Sequence, residues 1–329
     1  AGLWPLDVPR PGQATMSMND VALALGGQLA GWPQSRVLFV QGANPVATAM
    51  DQQAMLAGLS REDLFTVVHE QVLTDTAMMA DVVLPATTHF EADDVASSYG
   101  SFTVLRVDKV IDRVGESRTN DELAAALAAQ LGYSADEFDP DPLVMARRMR
   151  TDGGSGALPA VRLDGGALQF VDRFPGFADG STQARLTDIT SELVTPTYLP
   201  AAAHGLNLIT PSTNRTINSM FAEFDPPQAV VAIHPADAHS RGIADGQRVR
   251  VFNELGQIEL PARVDSSVRT GVVSIPKGLW RRHLDGGLTA NALIPRMVND
   301  LGSGACFNDA RVEIESCATK GSPVTETEH

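Results

Sequence analysis

Cysteine is scarce in this 329-residue chain, which has only Cys306 and Cys317. Their spacing fits no zinc or iron–sulfur pattern, and two thiols cannot frame a disulfide scaffold. Such usage suits a cytoplasmic protein. Long hydrophobic runs are lacking too. None approaches the ~18 residues of a membrane helix, so no membrane segment is expected. Positive charge is outnumbered, with 25 Lys and Arg against 40 Asp and Glu, for a net charge of −15. A nucleic-acid surface needs a basic stripe, and this balance argues against one. The acidity favours solubility and names no partner. There is no Met at position 1 and no leader pattern over residues 1–10. A fragment or a processed product of a longer polypeptide is the expectation.

What is present suggests about two domains of ~150 residues each. Hydrophobic content of 43% supports a real core. The organising stretch is Val67 to Glu91. The apolar run Leu64 to Val68 ends in His69 and Glu70, a helix-length insert follows, and a second apolar run reaches Leu84 before Pro85. This reads as strand–helix–strand. In open parallel sheets ligands sit at strand carboxyl ends, so His69, Glu70, Thr74 and Thr76 could rim a polar site. The alternative is a capped helix start at Thr74 or Thr76. Upstream, Ser17 or Asn19 can cap a helix to about Leu29. Arg36 to Val40 reads as a buried strand. It runs into Gly42-Ala43-Asn44-Pro45, where a left-handed Gly42 would let the backbone wrap a phosphate or a ring edge. A plain turn into the Asp51–Leu59 helix would look the same.

Thr87 to Phe102 reads as a long polar loop. Glu91, Asp93 and Asp94 have metal-like spacing there but read better as solvated charges. Phe102 to Asp108 alternates like a strand. Thr119 to Glu122 is a capping box for an Ala/Leu-rich helix ending at Gly132. A helix from Asp139 to Arg150, a linker over 151–166 and a short strand at Leu168 to Arg173 lead to a boundary near residue 200. From Leu206 short β-type runs dominate: Leu206–Thr210, Ala229–Ile233, Gln247–Asn253, Gln257–Val264, Gly271–Ile275 and Arg311–Glu315. A short helix at Pro235 to Arg241 and a hairpin bracketed by Asn253 and Gly256 punctuate them. Six such strands suggest a small closed barrel. His204, His234, His239 and His283 have no metal-helix spacing and read as structural or exposed.

Taken in order, these segments resemble a known family. VLFVQGANP, VVHEQVLTDTAMMADVVLPATTHFE and LRVDKVIDRVGESRTNDELAAALAAQLG resemble the third domain of molybdopterin oxidoreductases, the formate dehydrogenase, nitrate reductase and dimethyl sulfoxide reductase superfamily. LITPSTNRTINSMF, IHPADAHSRGIADGQRVRVFNELG, VRTGVVSIPKGLW, TANALI and DLGSGACF resemble its C-terminal dinucleotide-binding domain. The resemblance spans about residues 20–316. It implies an α/β fold, an open mostly parallel sheet with flanking helices, followed by a double-psi β-barrel. The domains would be 1–200, with a linker from about 140, and 201–329 with a tail.

The implied cofactor is a pair of molybdopterin guanine dinucleotides holding molybdenum or tungsten. By position, His69 and Glu70 match the pair that contacts a guanosine, where a carboxylate suits the two parallel donors of the guanine edge. Gly42, Asn44 and Pro45 match the loop approaching the dinucleotide. Thr74 lies on the same rim, and Asn120 matches a cofactor-near helix start that could equally be a cap. Thr210, Pro211, Ser212, Thr213, Asn218 and Ser219 match the loop that wraps pterin and phosphates. Many members have a Thr-Gly-Arg turn and a histidine there, where this chain has Pro211 and Asn218-Ser219. Asn291 matches a pterin-binding Asn, whose amide can donate and accept at once. Asn308 stands where Lys is frequent. The family's metal ligand and iron–sulfur cluster lie in parts that match nothing here, so no catalytic or metal-ligating residue is assigned. The implied partner is an N-terminal part of the same enzyme carrying both, together with a small-molecule substrate. A non-catalytic double-psi adaptor is the alternative. An autonomous nucleotide enzyme is weaker, because neither GxGxxG nor GxxxxGK[ST] occurs.

Overall fold

A computed structural model describes residues 14–97, 104–134, 141, 205–299 and 304–317. The Asp139–Arg150 helix, the 151–166 linker, the Leu168–Arg173 strand, His204 and the boundary near 200 lie outside the described residues. By compactness the chain falls into two units. One joins Met16–Val83 to Thr197–His329, and the other includes Leu84–Pro196.

Strands β1 (Val37–Gln41), β2 (Phe65–Glu70) and β3 (Val82–Pro85) form one sheet in that order, with β1 and β2 wholly in the first unit. β1 and β2 are parallel, pairing Val37 with Phe65 and Gln41 with His69. Parallel strands need a crossover, supplied by α2 (Pro45–Thr48) and α3 (Gln52–Leu59). Asp51 caps α3 by accepting the Ala54 amide. α2 was not expected, although Pro45 at its first position is the ordinary sign of a helix start. The first helix is shorter than expected: α1 spans Val21–Leu25, after a 3-10 turn at Met18–Asp20 capped by Ser17. Two glycines, Gly26 and Gly27, end it, Gly27 with φ of 68°. α1, α2 and α3 cover one sheet face through Leu25, Val46, Met55 and Leu59, against which Leu38 packs. The opposite face corrects the reading of Arg36–Val40 as buried, since Val37 is 65% and Phe39 41% exposed. An apolar run fixes the strand but does not say which faces are covered.

All six barrel strands appear where the β-type runs lie. They are β6 (Leu206–Ile209), β7 (Val231–Ile233), β8 (Arg248–Asn253), β9 (Gly256–Val264), β10 (Val272–Ser274) and β11 (Arg311–Ser316). They close in the order β10-β6-β11-β8-β9-β7. β10 with β6 and β7 with β9 are parallel, while the other neighbours are antiparallel. Asn253 pairs Gly256 across the two-residue turn of the β8–β9 hairpin. Leu208, Val231, Ile233, Val249, Val273, Val312 and others fill the interior. Met50, from the front segment, joins that same core. Helix α5 (Pro235–Ser240) is capped by His234, whose Nδ1 accepts the Ala236 amide. That makes His234 structural.

In the second unit the Thr87–Phe102 reading needs correction. Asp94–Ser97 is strand β4, antiparallel to β5 (Val104–Val107). Glu91 is buried rather than solvated. Its carboxylate accepts from the Thr88 amide and hydroxyl, the Val114 amide and the Ser117 hydroxyl. Those donors hold its pKa down at about 2. No group of three metal-capable side chains forms among the described residues. Helix α4 (Asn120–Gln130) has the expected capping box, with Thr119 and Glu122 bonded reciprocally.

Candidate functional site

The turn after β1 is built by three features. Gly42 has φ of 54°, and its amide donates to the His69 carbonyl. A side chain there would be strained. Asn44 is buried at the start of α2. Its Oδ1 accepts from the Thr76 amide at 3.1 Å and the Thr76 hydroxyl at 2.9 Å. Two donors on Oδ1 fix the amide orientation, and the buried Nδ2 then has no partner. Pro45 occupies N1 of the short helix.

His69 and Glu70 finish β2. Burial pushes the Glu70 carboxyl above its ordinary value. The Gln71 amide and His69 oppose that shift, and the like charge of Glu223 adds to it. Glu223 lies in the loop after β6. Thr74 is buried with its hydroxyl accepting the Ala77 amide, the capping role its alternative reading gave it.

From the barrel, Thr210 is buried and its amide donates to Asn308 Oδ1 at 3.2 Å. Its hydroxyl has no partner. Asn308 therefore anchors Thr210, and its own carbonyl accepts from Asn207. The Pro211 carbonyl accepts the Lys277 amide. Ser212 is exposed beside it. The Thr213 hydroxyl is used inside the loop, shared with Thr216 and accepting the Arg215 and Thr216 amides. Asn218 and Ser219 stand in the left-handed region at φ of 49° and 69°. Asn291 Nδ2 donates to the Ala47 carbonyl at 2.9 Å, so this amide ties the barrel to α2.

These loops form one contiguous region. The Gln52 side chain donates to the Val46 carbonyl and accepts the Thr289 amide. The Asp75 carboxylate accepts the Arg281 amide at 2.7 Å. Burial raises its pKa, opposed first by that amide and then by the charges of Arg281 and Arg282. Trp280 packs with Ala47 and Ala222, and its indole donates to the Ser219 carbonyl. His283, whose Nδ1 accepts the Trp280 amide, has its pKa lowered by burial and by Arg282. Gln52, Asp75 and Trp280 were not singled out from sequence. The Thr-Asp-Thr string and the rarity of tryptophan were the available signals. Asn120 belongs to the other unit, exposed at the first turn of α4, with Thr119 doing the capping.

Comparison with known proteins identifies the family. Residues 15–130 match the molybdopterin oxidoreductase family, and residues 206–311 match the molydopterin dinucleotide binding domain. A probable oxidoreductase of Bacillus subtilis (strain 168), YoaE, is 33% identical over 86% of this chain and 44% of its own length. A dimethyl sulfoxide/trimethylamine N-oxide reductase of Cereibacter sphaeroides is 29% identical over 92% of this chain and 43% of its own length. The F420-dependent formate dehydrogenase subunit alpha of Methanocaldococcus jannaschii is 25% identical over 73% of this chain. The chain thus spans less than half the length of the first two. In fold, it is similar to acetylene hydratase from Pelobacter acetylenicus, with a TM-score of 0.69 at 17% identity over 92% of this chain and 47% of that one. With both segments matched in chain order and relatives on either side of the superfamily, the chain belongs to the molybdopterin oxidoreductases and carries their dinucleotide-binding domain.

Proposed function

We propose that this chain is the C-terminal cofactor-binding portion of a molybdenum or tungsten oxidoreductase that carries two molybdopterin guanine dinucleotides. The observation that carries this reading is a pair of buried polar groups without partners, Asn44 Nδ2 and the Thr210 hydroxyl. Both lie on residues that the family resemblance assigns to the cofactor. Buried polar groups are normally satisfied, and each orphan costs about 1–3 kcal/mol. A ligand offering acceptors and donors would satisfy both. The donor set is neutral hydroxyls and amides, which suits a pterin edge and a bridged diphosphate.

In this reading Gly42, Asn44 and Pro45 approach one dinucleotide, and His69 and Glu70 address its guanine edge. Thr210 to Ser219 wrap pterin and phosphate, and Asn291 and Asn308 hold the loops that do so. Thr74 belongs to the same strand-end rim as His69 and Glu70. The barrel is read as the double-psi type. When bound, the metal cofactor supplies two-electron redox chemistry, of which the relatives' names suggest oxygen-atom transfer or formate oxidation. This chain's residues bind, orient and shield it. The metal ligand and iron–sulfur cluster belong to an N-terminal part of the enzyme, which with the substrate completes the partner set. The low cysteine count supports a cytoplasmic setting, and no described helix is long and apolar enough to cross a membrane. One wall of a cleft forfeits much of the contact energy, so the chain alone holds the cofactor weakly.

The test is metal and pterin analysis of the chain purified from a host that makes the cofactor. Molybdenum and tungsten well below one per chain are expected. A stoichiometric metal content would contradict the one-wall reading. Complete indifference to pterin and guanine nucleotide would favour the adaptor alternative.

A further inference from the structure

The loop after β6 contains a turn that its residues do not favour. Ile217 and Met220 bridge each other, the Met220 amide donating to the Ile217 carbonyl at 2.9 Å and the Ile217 amide to the Met220 carbonyl at 3.4 Å. With Asn218 and Ser219 both at positive φ, this is the geometry of a type I′ hairpin turn. Asn is accepted at the first central position. Glycine is the usual occupant of the second, where this chain has serine. Phe221 also has positive φ, at 67°. Such strain persists only where the surroundings over-determine it.

The surroundings are specific. Trp280, 2% exposed, donates its indole N–H to the Ser219 carbonyl at 2.8 Å. Gly278 has φ of 82° and packs beneath the loop. A Cβ on it would stand 3.1 Å from the Ser219 nitrogen and 3.2 Å from Thr216 Cβ. The Thr216 hydroxyl donates to the Lys277 carbonyl at 3.0 Å, fastening the loop's other arm to the same segment. Among the described residues, neither the Ser219 hydroxyl nor the two central amides of the turn makes a hydrogen bond. In a chain of net charge −15, Lys277, Arg281 and Arg282 flank Trp280. The Arg282 guanidinium carbon lies 4.4 Å from its ring centroid. Turn donors without a protein partner, beside cations that Asp75 only partly offsets, suit an anionic ligand.

We propose that Trp280 is the positioning residue of this loop, holding the Ile217–Met220 turn so that the Ser219 hydroxyl and the turn's free amides are preset for the diphosphate of a guanine dinucleotide. The inference rests on the cofactor reading above. It adds the device that shapes the site and a reason for serine where glycine would be easier.

Two variants of the whole chain test it, Trp280→Phe and Ser219→Gly, singly and together. Two readouts apply: amide exchange of Met220 relative to Val273 in the barrel, and binding of guanosine diphosphate against adenosine diphosphate. Trp280→Phe keeps an aromatic ring, smaller than the indole, and removes the donor. Met220 exchange is expected to rise about tenfold relative to Val273, as loss of one hydrogen bond implies. Guanosine diphosphate binding is expected to weaken severalfold. Ser219→Gly in that background should restore Met220 protection without restoring binding. Either readout unmoved in Trp280→Phe overturns the positioning role. A wild-type chain that binds the two nucleotides equally would instead overturn the cofactor reading, whatever the exchange shows.

Discussion

Asn44 and Thr210 are of the same kind: each is tied into its own fold by hydrogen bonds and keeps one buried side-chain donor without a partner. Asn44 gives its oxygen to Thr76, and Thr210 gives its amide to Asn308. The atoms left over are buried. Thr210→Val removes one of them at nearly constant shape. Stability of the ligand-free chain is expected to stay level or rise by up to about 1 kcal/mol, because an unsatisfied buried hydroxyl disappears. Pterin recovered with the protein is expected to fall. Chemical denaturation and pterin fluorescence read the two effects separately, and a stability loss above that size would mean the hydroxyl has a partner. Asn291 is the opposite case. Its amide serves the Ala47 carbonyl, so Asn291→Leu orphans a buried acceptor and is expected to cost about 1–3 kcal/mol. Residue roles of this kind are hard to read in sequence. Asn44, Asn291 and Asn308 look alike there, and only their neighbours separate an amide spent on docking from one left free.

At the scale of elements, Glu91 holds the segment before β4 against the loop before α4. Its folded pKa of about 2 lies below the ordinary value of 4.5. The stabilisation is therefore complete above the unfolded value and is lost as pH falls from there through about 2. Glu91→Gln is expected to lower the unfolding midpoint at pH 7, and the gap from wild type should close as pH approaches 2. A gap independent of pH would show that the charge is not what matters. Gly278 is the second element-level device. Gly278→Ala combines positive φ with a 3.1 Å approach to the Ser219 nitrogen, and is expected to cost about 1–3 kcal/mol in equilibrium unfolding. Most elements were legible in the chain. The β-branched runs placed all six barrel strands, and the capping box placed α4. What failed has physical causes. Asp94–Ser97 is too short and polar to show a period, and pairing with β5 makes it a strand. The Gly26–Gly27 pair outweighed the apolar spacing that ran on toward Leu29.

For the whole molecule, the front segment and the barrel form one compact unit although about 110 residues of chain separate them. Met50 in the barrel core, Gln52 on Thr289 and Asp75 on Arg281 make that union. Nothing local in the sequence announces it, since the two hydrogen bonds join residues 237 and 206 positions apart. The family resemblance did place Gly42 and the Thr210–Ser219 loop on one cofactor, and the shared unit is compatible with that. The excess of acid over base leaves an anionic ligand to be met by backbone amides, hydroxyls and the few cations near Trp280, not by a general positive field. The most direct measurement is a backbone amide map of the chain titrated with guanosine diphosphate and, separately, adenosine diphosphate. The account predicts that the guanine nucleotide shifts amides in both the Gly42–Val46 turn and the Thr210–Ser219 loop, with the adenine nucleotide markedly weaker. Shifts confined to one of these loops, or lying elsewhere altogether, would contradict it.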